Sequence, residues 1–122
     1  IQTLFSEKVN SKKSKNQIVI FKQFKNLIEE NFNESWALTE YANQLNITLH
    51  QLNSIVKSVC NKTTSEIINE RIILEAKQLL QFSDDNISEI SFKLGFEDSS
   101  YFARYFKKHT ATSPLDFRKD FI

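Results

Sequence analysis

Residues 99–109 carry the side chains best suited to binding a polyanion. The stretch SSYFARYFKKH has no acidic residue and contains three cations: Arg104, Lys107 and Lys108. Residues 46–63 also lack an acid and contain two cations: Lys57 and Lys62. Arginine presents a planar fork of N–H donors, whereas lysine acts as a compact positive charge. Since the formal net charge is only +1, this clustering indicates more about a partner than the total charge does.

Other kinds of chemistry have little support. Cys60 is the only cysteine, so no internal disulfide can form, and His50 and His109 lie too far apart for metal-ligand spacing. We find no convergent acid and base, no nucleophile with a partner and no glycine-rich phosphate loop. We therefore expect no enzyme activity, no metal and no cofactor, and we interpret Cys60 as a small core residue.

The length and composition predict one all-α domain. The chain has 122 residues, of which 40% are hydrophobic and 25% charged, but only one Gly and one Pro. It has neither the roughly 18 consecutive apolar residues of a membrane helix nor the apolar core of a secretory signal. We therefore expect a cytoplasmic location and no membrane partner. Because the chain contains no Met, we interpret it as an excised fragment.

Apolar residues spaced by three and four predict about seven helices. The expected elements are residues 18–32, 36–45, 48–60 with Thr48 as N-cap, 64–82, 87–94, 99–109 capped by Asp98 or Ser99, and a last helix opened by Ser113-Pro114 and carrying Leu115, Phe117 and Phe121. Five phenylalanines fall on apolar faces and are expected in the core: Phe92, Phe96, Phe102, Phe106 and Phe117. Val59 and Leu74 are also expected at apolar, core-facing positions.

The order short helix, turn, longer helix occurs twice. Aligning Leu45-Asn46-Ile47 with Leu94-Gly95-Phe96, and allowing one extra residue in the second turn, pairs several positions: Leu52 with Phe102, Val56 with Phe106, Lys57 with Lys107, and Ile67 with Phe117. A small residue precedes each turn by four positions, Ala42 in one copy and Ser91 in the other. Closely crossing helices need such a residue, followed by a left-handed backbone that Gly or Asn tolerates. Asn46 and Gly95 are thus the predicted structural turn residues of two helix-turn-helix units.

With these motifs the sequence resembles the C-terminal DNA-binding domain of the AraC/XylS family of bacterial transcription regulators. The resemblance is strongest in ISEIS (87–91), LGFEDSSYFARYFKK (94–108), Ser113-Pro114 and Phe117-Arg118. Upstream, five residues are similar to the family's linker helix: Arg71, Leu74, Ala76, Leu79 and Leu80. The family's turn glycines appear here as Asn46, Asn61 and Ala111. Because left-handed Ala costs about 1 kcal/mol or more, we expect the last turn to differ in shape.

The resemblance implies two helix-turn-helix subdomains, 18–63 and 83–122, joined by a long linker helix, 64–82, and preceded by a linker or N-terminal arm, 1–17. Six lysines and no acid lie between Lys8 and Lys25. That segment is either a solvated linker, which we favour, or a DNA-contacting arm.

The long helix would span roughly 27 Å at about 1.5 Å per residue, which suits two recognition helices in successive major grooves about 34 Å apart.

The recognition helices implied are those at 48–60 and 99–109. The base-contact candidates on them are His50, Asn53, Ser54, Ser99, Ser100, Ala103 and Arg104, and the phosphate candidates are Lys57, Lys107 and Lys108. Asn53 suits bidentate pairing with adenine, and Arg104 suits guanine O6 and N7. Ser99 and Ser100 are equally consistent with capping. In an arbitrary helical domain the cations would more often form a solvated helix face, but the tandem repeat favours DNA contact.

The partners implied are double-stranded DNA and RNA polymerase, with any dimerisation through a missing N-terminal region. Two alternatives stay open. A helical protein-interaction module would expose an apolar patch where we expect polar reading residues. The domain could also be the output end of a hybrid two-component regulator.

Overall fold

The computed structural model describes the backbone of residues 2–120 and the side chains of residues 15–120. Seven helices and no strand occupy this range: α1 (Gln2–Asn31), α2 (Leu38–Gln44), α3 (Leu49–Cys60), α4 (Thr64–Phe82), α5 (Ile87–Lys93), α6 (Ser99–Thr110) and α7 (Pro114–Lys119). The predicted all-α class is confirmed. None of the described helices is long and apolar enough to cross a membrane. Phe121, expected on the last helix, lies outside the described residues.

The first helix begins much earlier than the apolar spacing predicted. The polar lead interpreted as a linker or arm has helical backbone from Gln2 onward, in the same helix as residues 18–31. No Gly or Pro interrupts this stretch, and Lys, Gln and Glu are good helix formers. Gln17, at the end of that lead, already contacts α3, because the hydroxyl of Ser58 donates to its Oε1 at 3.1 Å.

The chain divides into two compact units. The first unit comprises α1 up to Glu30 together with Ala37–Ile67, and the second unit comprises Asn31–Trp36 together with the residues from Ile68 onward. The sequence-based division had assigned residues 31–36 to the first subdomain and treated 64–82 as a separate linker. In the structure α4 contributes residues to both units.

The core of the first unit is mainly aliphatic on α3. Leu52 and Val56 are fully buried there, and Ile55 is largely buried. Phe24 from α1 meets Tyr41 from α2 edge to face, with ring centroids 5.8 Å apart. This packing fixes which face of α3 turns inward, and hence which side chains it presents to solvent.

The core of the second unit is aromatic on α6. Phe102 and Phe106 are fully buried and pack with Ile90 and Leu94 and with three residues of α4: Ile73, Ala76 and Leu80. Phe96 lies beside Phe102, with ring centroids 5.3 Å apart, and Phe106 meets Phe117 at 5.5 Å. Four of the five predicted core phenylalanines therefore pack in this core.

The fifth prediction, Phe92, is wrong. Its side chain is 82% exposed, because α5 buries Ile90 and Ser91 and Phe92 lies on the other side of that short helix. Val59 and Leu74 are also more exposed than predicted, at 37% and 50%. The spacing of apolar residues on a helix identifies the stripe that faces the core. It does not show how far the neighbouring helices extend over that stripe.

The turns of the two units have the same hydrogen-bonding pattern. Ile47 N donates to Ala42 O at 3.1 Å, and Phe96 N donates to Ser91 O at 3.1 Å. The turn residues Asn46 and Gly95 have φ of +58° and +88°. Ala42 and Ser91 are both 1% exposed. In both units the small residue predicted before the turn is therefore buried.

The turn that ends α6 does not differ in shape, contrary to the expectation for Ala111. Ala111 has φ +65° and its N–H donates to Lys107 O at 2.7 Å, while Asn61 at the end of α3 has φ +58° and donates to Lys57 O at 2.9 Å. Left-handed alanine has a steric cost. The hydrogen bond that closes the helix and the change of chain direction after α6 offset it.

Arg118 closes the C-terminal end of α4. Its Nε donates to Leu80 O at 2.9 Å and its Nη1 to Asp85 O at 2.5 Å, while Nη2 lies 3.3 and 3.2 Å from Leu79 O and Ser83 O. The last carbonyls of a helix have no partner within it. One guanidinium therefore donates to four carbonyls in the second unit, one of which, Leu79 O, also accepts from Ser83 N and Oγ.

Candidate nucleic-acid interface

The outward face of α3 carries the predicted polar residues of the first unit. Thr48 begins the helix with a capping box, in which its hydroxyl accepts from Gln51 N at 3.1 Å and Gln51 Oε1 accepts from Thr48 N at 2.9 Å. This cap fixes the start of the helix, and burial of the apolar stripe fixes its rotation. Four predicted side chains are exposed as a result: His50, Asn53, Ser54 and Lys57.

These four side chains also share a groove. They line an open groove of about 560 Å³ together with Leu38 from α2 and residues 62–65 at the start of α4. Lys62 adds a second cation to Lys57, and the hydroxyls of Thr63 and Ser65 add polar atoms. The arrangement offers hydrogen-bond donors and positive charge side by side, which suits a ligand with both polar edges and phosphates.

Asn53 has a partner that sequence reasoning missed. The hydroxyl of Thr64 donates to Asn53 Oδ1 at 2.5 Å. Thr64 is 1% exposed, whereas Asn53 is exposed. One end of this amide is therefore held by the protein interior.

The outward face of α6 carries the predicted residues of the second unit. Asp98 is the N-cap, with its carboxylate accepting from Tyr101 N at 2.7 Å, which settles the alternative between Asp98 and Ser99. Ser100, Arg104, Lys107 and Lys108 are exposed. Ser99 and Ala103 are only half-buried, so part of each is accessible.

The electrostatics of α6 differ from those of α3. The Arg104 guanidinium lies 5.9 Å from the centre of the Tyr101 ring, which leaves its N–H groups at the surface. Burial, helped by the charge of Lys108, lowers the pKa of His109, so this imidazole is neutral at pH 7. The positive charge of α6 therefore comes from three side chains: Arg104, Lys107 and Lys108.

Tyr105 connects the inner side of α6 to α4. Its hydroxyl donates to Asn69 Oδ1 on α4 at 2.7 Å, and burial strongly raises the pKa of the phenol. The ring also contacts His109, with centroids 4.5 Å apart. Tyr105 is half-buried, and its hydroxyl end reaches a polar partner.

Two residues with hydrogen bonds to distant parts of the chain were not singled out by role in the sequence. Thr64 and Arg118 act through contacts to residues 11 and 33 or more positions away. For Thr64 the repeat offered a clue. An offset of fifty residues aligns Thr64 with Pro114, so the first copy has a polar residue where the second copy has an apolar one. No pattern in the sequence indicated the carbonyls that Arg118 binds.

Comparison with known proteins identifies the family. A family model described as a helix-turn-helix domain matches residues 41–120. The chain is 27% identical over 117 residues to the HTH-type transcriptional activator RhaS of Klebsiella pneumoniae (strain 342), covering 96% of this chain and 40% of that protein. It is 30% identical over 92 residues to RhaS of Salmonella schwarzengrund (strain CVM19633), covering 75% of this chain and 33% of that protein. The chain thus spans well under half the length of these relatives.

Solved structures share the fold. The C-terminal domain of the two-component response regulator yesN from Fusobacterium nucleatum superposes with a TM-score of 0.74 at 26% identity, covering 80% of this chain and 95% of that one. The C-terminal domain of AraT, a response regulator from Geobacillus stearothermophilus, gives a TM-score of 0.78 at 24% identity, covering 83% and 84%. The DNA-binding domain of AdpA, solved in complex with a target DNA, gives 0.74 at 17% identity, covering 81% and 89%. Taken with the tandem turns and the matched residues, these likenesses show that the chain belongs to the AraC/XylS family of transcription regulators, as their helix-turn-helix DNA-binding domain.

Proposed function

We propose that this domain binds double-stranded DNA in a sequence-specific way, with α3 and α6 as recognition helices in two adjacent major grooves. The observation that carries the proposal is the repeated interface. Two helices of 12 residues each follow the same turn and bury the same stripe. Each presents an acid-free outward face with a lysine at the equivalent position, Lys57 or Lys107.

The proposed roles divide between reading bases and holding phosphates. The residues that would contact base edges are His50, Asn53, Ser54, Ser99, Ser100, Ala103 and Arg104. Lys57, Lys107 and Lys108 would pair with phosphates, which positions the domain without reading sequence. Arg104 is the strongest reader of the set, because its fork of donors matches guanine O6 and N7.

The relatives support regulation of transcription as the role of the whole protein. The RhaS proteins are named as transcriptional activators. RNA polymerase would be the protein partner, any dimerisation would use a region N-terminal to this domain, and the protein would act in the bacterial cytoplasm, where the chromosome lies. The yesN and AraT domains belong to response regulators, which supports the output end of a two-component protein as a second candidate for the whole chain.

The rival function, a protein-interaction module, has less support at this surface. It would need an apolar patch among the proposed readers. On the described parts of α3 and α6 the exposed large apolar side chains are Val59 and Tyr101. Val59 follows Ser54, the last proposed base-reading residue of α3, by five positions, and Tyr101 lies beside the Arg104 guanidinium.

The experiment that tests the proposal is selection of bound sequences from random duplex DNA, followed by affinity against salt on the enriched sequence. We expect a motif in two parts about one helical turn apart and a steep loss of affinity with salt. Lys119→Ala is the matched control, because Lys119 is an exposed cation on α7 outside both recognition helices. It should leave the salt slope unchanged, whereas Lys107→Ala should lower it. Absence of both enrichment and salt-dependent binding would reject DNA binding in favour of the interaction module.

A further inference from the structure

The first unit contains a buried hydroxyl that is directed at a proposed base-reading side chain. Thr64 lies at the first turn of α4 and is 1% exposed. Its Oγ1 donates to Oδ1 of Asn53, 2.5 Å away and on the outward face of α3. Both residues belong to the first unit.

Folding does not require a hydroxyl at this place, as the second unit shows. The offset of fifty aligns Asn53 with Ala103 and Thr64 with Pro114. The preceding residues have the same role in both units, because Thr63 accepts from Glu66 N at 3.1 Å and Ser113 accepts from Asp116 N at 3.1 Å. Proline is favourable at the first position of a helix. The second unit uses it and makes no side-chain bond to Ala103.

We infer that Thr64 is a specificity-determining positioning residue, which makes Asn53 a hydrogen-bond donor to the base and directs it to guanine in preference to adenine. The inference rests on the proposed DNA binding. It names the base edge that the first recognition helix reads.

The reason is the chemistry of the two purine edges. An asparagine that pairs with adenine in the major groove accepts from N6 through Oδ1 and donates to N7 through Nδ2. Thr64 holds Oδ1 toward the protein, so the Nδ2 amino group is the part of Asn53 left to meet the DNA. Guanine offers two acceptors, O6 and N7, whereas adenine would bring its own N6 donor against that amino group. The geometry thus replaces the adenine pairing expected from residue type alone.

The test compares base preference in variants of this pair. Affinity is measured for the selected DNA sequence and for every single-base change in the half bound by α3, first with the wild type and with Asn53→Ala. The position at which Asn53→Ala abolishes discrimination is the base read by Asn53. At that position we expect the wild type to prefer guanine over adenine by about tenfold, within the range for one bidentate contact.

Thr64→Val is the decisive variant, because valine keeps the branched shape and removes the hydroxyl. Freed from Thr64, the amide can turn, and we expect the guanine preference to fall about tenfold or to reverse toward adenine. Thr64→Ser is the matched control, since it retains the hydroxyl and should retain the guanine preference. If Thr64→Val melts too early to assay, Thr64→Pro makes the same deletion with the residue that the second unit uses.

Three results would overturn the inference. The wild type could prefer adenine at the Asn53 position, the hydroxyl-free variants could keep the full guanine preference, or Asn53→Ala could leave every base preference unchanged. In each of these the protein still selects a sequence, so the proposed function stands and only the role of Thr64 fails. A wild type that selects no sequence would instead reject the proposed function and this inference with it.

Discussion

The two units build the same helix-turn-helix backbone with different side chains. α2 and α5 are both seven residues long, and α3 and α6 are both twelve. The inner side of α3 is aliphatic, whereas that of α6 is aromatic. The hydrogen bonds that close the two turns have the same length and the same partners in the repeat. The shared requirement is therefore a small crossing residue and a left-handed turn, while the type of core side chain is free to vary.

The outward faces differ as much as the cores. α3 carries one cation, Lys57, among neutral polar side chains, whereas α6 carries Arg104, Lys107 and Lys108. If both helices enter major grooves, α6 would supply most of the charge-driven affinity and α3 a larger share of neutral hydrogen bonding. Four predictions test this comparison.

The largest difference should appear at the two turn residues. Gly95→Val should destabilise the protein by about 4 kcal/mol, because the valine would be forced into a left-handed backbone conformation and its side chain would overpack the site. A Cβ at Gly95, whose φ is +88°, would lie 2.3 Å from Asn33 O. Urea denaturation measures the loss. Asn46→Gly makes the opposite change at the equivalent turn, removing a side chain, and should alter stability by less than about 1 kcal/mol. Equal effects at both turns would contradict the comparison.

Arg118→Ala should destabilise the protein by about 3 kcal/mol, because it leaves several partly buried carbonyls without a donor. The repeat aligns Arg118 with Ile68, whose apolar side chain has no hydrogen-bond donor. Thermal unfolding followed by circular dichroism provides the measurement, with exposed Lys119→Ala as the control. A melting temperature that stays at the wild-type value would show that water replaces the guanidinium at no cost.

The proposed division of labour on α6 can be tested with two neighbouring cations. Arg104→Ala should cost about 1 to 3 kcal/mol on specific DNA and relax the preference at one base. Lys107→Ala should weaken all sequences about equally and lower the salt slope by about 0.9. Fluorescence anisotropy at several salt concentrations separates these patterns. Unchanged specific affinity in folded Arg104→Ala would mean that α6 is docked differently from the proposal.

The smallest effect should come from Phe92. Because its ring is 82% exposed, Phe92→Ser should change the free energy of unfolding by less than about 0.5 kcal/mol. Phe102→Ala, on the buried side of the same unit, serves as the control for a core phenylalanine. A large loss at Phe92 would mean that solvent does not cover this face of α5.

Much of the fold follows from the sequence because its signals are local. Thr48 and Ser113 cap their helices as predicted, and Asn46 and Gly95 have the expected positive φ, since caps and turns depend on residues within four positions. The repeat related two distant segments of the chain, because each contains the same local pattern of short helix, turn and longer helix.

The errors arose where a distant element decides the outcome. Phe92 lies on a helix of seven residues, too short for its apolar spacing to distinguish a covered side from an open one. α1 extends over a polar segment that has no apolar stripe to mark it. The adenine pairing predicted for Asn53 stays a prediction, but residue type could not indicate the buried Thr64 hydroxyl, eleven residues later, that holds one end of its amide.

The position of Arg118 near the end of the described chain has a genetic consequence. A nonsense or frameshift mutation just before this codon would spare all of α1 to α6 and both proposed recognition helices. It would nevertheless remove the guanidinium that donates to Leu80 O at the end of α4 and to Asp85 O, and so delete both of those hydrogen bonds. An allele truncated at this codon should therefore lower the abundance of folded domain, and second-site suppressors should be found among changes that stabilise the second unit.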